Sequence, residues 1–65
     1  MNVLKEESEE GTLLRYIFHT EAEESQDDLK AKTKAWLIAN TSLDWEGFYD
    51  RVISMGSNRI TINMS

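Results

Sequence analysis

SQDDLKAKTKAWLIAN, residues Ser25 to Asn40, carries the start signal, the charge order and the apolar spacing of a single helix. Ser25 can accept a hydrogen bond from a free amide of the first turn, with Asp28 three residues on, so it reads as the N-cap. Asp27 and Asp28 then stand at the positive end of the helix dipole. At about 100° per residue, Leu29, Ala31, Ala35, Trp36, Ile38 and Ala39 fall in one half of the wheel, and Asp27, Lys30, Thr33 and Lys34 in the other. Ala31, Ala35 and Ala39 form a low ridge that admits a neighbouring backbone, with Trp36 as the large anchor beside it. Lys32 and Asp28 intrude on that face, four residues apart, and are expected to pair.

Outward from the helix, the chain offers little else to build with. Its 65 residues suffice for one small domain whose core is marginal, which disfavours a deep substrate cleft. There is no cysteine, so neither disulfides nor a thiolate zinc site can staple it. The longest apolar run, Ala35 to Ala39, is far too short to cross a bilayer, and MNVLKEESEE lacks a signal-peptide core. The expectation is a soluble cytoplasmic protein. Twelve acidic against seven basic residues leave a net charge of −5, which disfavours nucleic-acid phosphates and anionic membranes and favours a basic protein surface.

Before the helix, Val3 and Leu4 lie in a short segment that ends in the turn-like Ser8, Glu9, Glu10 and Gly11. TLLRYIFHT follows, rich in β-branched and aromatic residues, and the two segments around Gly11 predict a hairpin. Strand alternation sets Leu14, Tyr16 and Phe18 on the core side and Leu13, Arg15, Ile17 and His19 on the other, which suits a central strand. Glu21 to Glu24 form a charged link into the helix.

After Asn40, Thr41 and Ser42, the spacing of Trp45, Phe48, Tyr49, Val52 and Ile53 predicts a second helix from Leu43 to Met55. Gly47 weakens it by about 1 kcal/mol relative to alanine. The competing reading is a strand over Phe48 to Met55, paired through Gly56, Ser57 and Asn58 with the last segment. RITINM alternates as a half-buried strand, with Ile60, Ile62 and Met64 on one side and Arg59, Thr61 and Asn63 on the other.

The fold class expected is α+β: a three-stranded antiparallel sheet in the order first, second, last, with two helices packed on one face. Its core is Leu14, Tyr16, Phe18, Leu29, Ala35, Trp36, Ala39, Trp45, Phe48, Tyr49, Val52, Ile60 and Ile62.

Few residues offer chemistry. His19 is the only histidine, followed by Glu21, Glu23 and Glu24, but one imidazole with flexible carboxylates makes no metal cage and reads as a surface residue at a strand end. A small metal-dependent enzyme or sensor around His19 is the rival from that class. No serine sits in a nucleophile elbow, and Gly11, Gly47 and Gly56 stand apart, so no phosphate loop forms. The acidic residues gather at two ends of a nine-residue strand, Glu6, Glu7, Glu9 and Glu10 at one and Glu21, Glu23, Glu24, Asp27 and Asp28 at the other. Their separation of roughly 30 Å raises the alternative of a nucleic-acid mimic.

These readings favour a non-enzymatic protein-interaction module, accessory or inhibitory, that needs no cofactor and occupies a partner protein's surface. Leu13, Arg15, Ile17, His19, Arg59 and Thr61 on the uncovered sheet face are its contact residues, and Glu21, Glu23 and Glu24 its steering charges. A structural homodimer or assembly subunit that consumes the same face is the alternative.

Overall fold

The computed structural model describes residues 1–21 and 23–65; Ala22, within the charged link, lies outside the described residues. Strands β1 (Asn2–Glu7), β2 (Leu13–His19), β3 (Val52–Met55) and β4 (Arg59–Asn63) form one sheet in the order β1-β2-β4-β3. Every neighbouring pair is antiparallel. A single helix, α1 (Gln26–Asn40), lies against β2 and β4. The class is α+β, as the sequence implies.

The first hairpin turns where expected. The Gly11 N–H donates to the Ser8 carbonyl at 3.0 Å, and Gly11 takes φ 86°, a left-handed conformation that glycine adopts without steric cost. The Ser8 hydroxyl accepts the Thr12 N–H and closes the turn from the side. β2 then becomes the central strand it was expected to be, with β1 on one flank and β4 on the other.

The second helix does not form. Phe48–Arg51 make one turn of 3₁₀ helix, and Val52–Met55 continue as an edge strand paired with β4. The competing strand reading therefore holds over its second half. The reason lies in β4: without a fourth strand, its outer backbone groups and the flank of Ile60 and Ile62 would remain unpaired and uncovered. β-branched Val52 and Ile53 suit that strand, and the Gly56 N–H closes the hairpin on the Arg59 carbonyl at 2.8 Å. Trp45 and Phe48 still reach the core, from a loop and a 3₁₀ turn, in edge-to-face contact.

The helix starts as expected, with the Ser25 hydroxyl accepting the Asp28 N–H at 3.1 Å, a cap worth about 1 kcal/mol. It is rotated from the expected orientation. Leu29, Thr33 and Leu37 are fully buried and Trp36 half-buried, whereas Ala31, Ala35, Ile38 and Ala39 face solvent. Large side chains settle this: burying Leu29 and Leu37 stabilises by roughly 1.5 to 3 kcal/mol each, which three alanine methyls do not match. Thr33 rides between the two leucines, its hydroxyl donating to the Met1 sulfur at 3.8 Å.

The core is thus Phe18, Leu29, Leu37, Trp45, Phe48, Ile60 and Ile62, with Val3, Tyr16, Trp36, Val52 and Met55 packed around it. Of the residues expected there, Ala35, Ala39 and Tyr49 are exposed, Tyr49 at 63 %. Trp36 packs edge-on against both Tyr16 and Phe18, with ring centroids at 5.0 and 5.5 Å, and fastens helix to sheet.

Candidate functional site

The helix-facing side of the sheet is fixed by Phe18, Ile60 and Ile62. Alternation therefore sends Arg15, Ile17 and His19 of β2, with Arg59, Thr61 and Asn63 of β4, to the reverse side. α1 is on the other side, and no second layer among the described residues covers this one.

The strand register arranges the reverse face in three rows across the sheet. The middle row runs Leu4, Ile17, Thr61 and Ser54, because Leu4 pairs with Ile17, Ile17 with Thr61, and Thr61 with Ser54. A β-bulge between Val52 and Ser54 sets Ile53 beside Ser54 opposite the single residue Thr61. Three strand spacings make this row roughly 14 Å long. Its ends are aliphatic and open, Leu4 at 55 % and Ile53 at 56 % exposure.

Polar rows flank it. One holds Glu6, Arg15 and Asn63, with an Arg15 Nη1–H donating to the Glu6 carboxylate at 2.9 Å. Arg15 Nε is buried without a hydrogen-bond partner among the described residues, so the Glu6 contact engages only one side of the guanidinium. The other row holds Asn2, His19 and Arg59. The two polar rows thus carry the guanidinium groups of Arg15 and Arg59 and the carboxylate of Glu6, on a chain of net charge −5. The face is an apolar line between polar margins, the pattern of a modest protein interface.

The contact residues expected from the sequence are brought together here. Arg15, Ile17, His19, Arg59 and Thr61 share the face, and Leu13 extends it at the start of β2, opposite Glu7 at a second irregularity in register. Sequence reasoning missed Leu4 and Ile53. Leu4 was findable, since hairpin register places it across from Ile17. Ile53 was not, because it reaches this region through a bulge in a segment read as helix.

The acidic residues are distributed differently. Glu24 is no steering charge: its side chain is only 10 % exposed, and it receives Lys32 Nζ at 2.6 Å and the Met1 amino group at 3.3 Å. The hydrogen bond from Lys32, then that from the Glu21 N–H, hold the Glu24 carboxyl down to about 2 from its ordinary 4.5. Lys32 accordingly pairs with Glu24 and not with Asp28, and its own pKa is raised by the same contact. Glu23 takes φ 72° in the turn that brings Glu24 inward, a left-handed conformation that costs a non-glycine residue of order 1 kcal/mol. Glu21 also lies 3.6 Å from the Met1 amino group but stays 60 % exposed, and Glu23 is open to solvent. β2 has seven residues where a nine-residue strand was expected, and the acidic residues of the two ends lie outside it.

No three His, Asp or Glu side chains among the described residues converge on a point that would hold a metal ion, and His19 has Arg59 and Asn2 as its cross-strand neighbours. No helix of the described residues is long and apolar enough to cross a membrane. Comparison with family models, with curated proteins and with solved structures finds no match to this chain.

Proposed function

We propose that the protein is a non-enzymatic interaction module that docks a partner protein on the reverse face of its sheet. The reading rests on one observation: the row Leu4, Ile17, Thr61 and Ile53 lies uncovered between two polar rows, while the helix occupies only the opposite side. Leu4, Ile17 and Ile53 supply apolar contact. Leu13 widens it, Thr61 adds a hydroxyl within the row, and Arg15, His19 and Arg59 offer hydrogen bonds at the margin.

Glu21 and Glu23, beyond the His19 end of the face, act as steering charges toward a partner with a basic rim. Rim charges act through screened, long-range attraction, so partner affinity falls as salt is added.

The test is affinity capture from the native cell at low and high salt with the wild-type chain and with Leu4→Lys and Ile53→Lys. Both residues are exposed, so both variants should stay folded. A partner captured by the wild type and lost by both variants supports the reading. A partner retained by both contradicts it.

A further inference from the structure

The second apolar region of the surface is on the helix side of the molecule, where the chain leaves α1 and folds back beside it. A cleft of about 350 Å³ opens there between two walls. Lys34 and Ile38 of α1 form one wall; Leu43, Asp44 and Glu46 of the following loop form the other, over the edge of Trp45. Ile38 and Leu43, one on each wall, are 58 % and 41 % exposed, so both leave aliphatic surface open to solvent.

The walls carry opposite charge. Lys34 stands on the helix wall, Asp44 and Glu46 on the loop wall, and neither Lys34 nor Glu46 takes part in an ion pair among the described residues. The loop wall is held in shape from within. The Glu46 N–H donates to the Asp44 carboxylate at 3.0 Å, and the Trp45 indole N–H donates to the Thr41 hydroxyl at 2.8 Å.

A groove with one basic and one acidic wall and an aliphatic residue on each is complementary to itself. A two-fold axis along the cleft would lay the helix wall of each copy over the loop wall of the other, bringing Lys34 toward the second copy's acidic Asp44 and Glu46 and Ile38 toward its Leu43. That is an isologous contact, satisfied twice by one rotation. We propose that a second copy of this chain docks here, forming a weak homodimer that leaves the reverse face of the sheet free. Exposed Ala31 and Ala35 on the same helix side let the second backbone approach closely. The contact is smaller than a standard interface, so a dissociation constant on the order of 100 µM is expected.

The test is sedimentation equilibrium from about 20 µM to about 1 mM, a range that brackets such an affinity. The variants are Lys34→Glu, Glu46→Lys, Ile38→Glu and, as control, Leu4→Lys on the sheet face, each checked for its fold by circular dichroism. The wild type and Leu4→Lys are expected to dimerise. The other three are expected to weaken self-association about tenfold or more. Lys34→Glu mixed with Glu46→Lys should recover dimers, since each copy then presents the charge that the other needs. A wild type that is strictly monomeric throughout, a dimer lost in Leu4→Lys but kept in Ile38→Glu, or a mixture that stays monomeric would overturn the proposal. None of these results bears on partner capture by the sheet face.

Discussion

Lys32 and Glu24, eight residues apart, meet at 2.6 Å and bind the turn after β2 to the second turn of α1. Because this contact holds the Glu24 carboxyl at about 2 in the folded chain, against 4.5 ordinarily, it is worth most when Glu24 is ionised. A depressed carboxyl contributes stability above its unfolded pKa and loses it as pH falls through the folded value. The melting temperature of the wild type should therefore exceed that of Glu24→Gln at neutral pH. The difference should shrink between about pH 4.5 and about pH 2 and be largely gone below. A gap independent of pH in thermal melts would show that the carboxylate is not ionically engaged. Added salt should narrow the neutral-pH gap, since the Lys32 side chain is open to solvent.

The rotation of α1 is tested by two adjacent residues. Leu37 is fully buried and Ile38 is 58 % exposed. Leu37→Ala should cost about 2 to 5 kcal/mol in urea unfolding, enough to leave so small a domain largely unfolded. Ile38→Ala should cost under about 1 kcal/mol. The reverse order would mean that the alanine side of the helix faces the sheet.

Thr41 ends the helix and serves the core at once. Its hydroxyl donates to the Leu37 carbonyl at 2.7 Å and accepts the indole N–H of Trp45, which is 3 % exposed. Thr41→Val keeps the shape and removes both bonds, leaving a buried N–H without an acceptor. The expected loss is about 1 to 3 kcal/mol by urea unfolding, with Thr41→Ser retaining most of the stability. A larger loss in Thr41→Ser than in Thr41→Val would assign the effect to packing of the Thr41 methyl.

How far the chain could be read depends on which signals were local. The Ser25 cap, the glycine turn after Glu10 and the alternation of β2 and β4 act within a few residues, and each forms as expected. The pairing of β2 with β4 followed from direction alone. The orientation of α1 was less legible, because Leu29, Ala31, Ala35, Trp36, Leu37, Ile38 and Ala39 make nearly the whole circumference apolar. Only tertiary packing, which rewards Leu29 and Leu37 over the alanines, selects the buried side. The segment 45–53 satisfied a helical period with residues that a loop, a 3₁₀ turn and a bulged strand also bury or expose in turn. What decided it was the unpaired edge of β4, a partner distant from that window. The candidate face inherited both outcomes: Arg15, Ile17, His19, Arg59 and Thr61 were legible from alternation, whereas Ile53 depended on the bulge.

On the proposed function, the bare side of the sheet is where the protein meets its partner. The most direct measurement is amide and methyl chemical-shift mapping of the isotope-labelled chain, titrated with the partner recovered by affinity capture. The largest changes are expected at Leu4, Ile17, Arg59 and Thr61, with Leu29 and Leu37 on the helix side little affected. Changes confined to the exposed side of α1 or to the β1–β2 turn, with Ile17 and Thr61 unmoved, would contradict that reading.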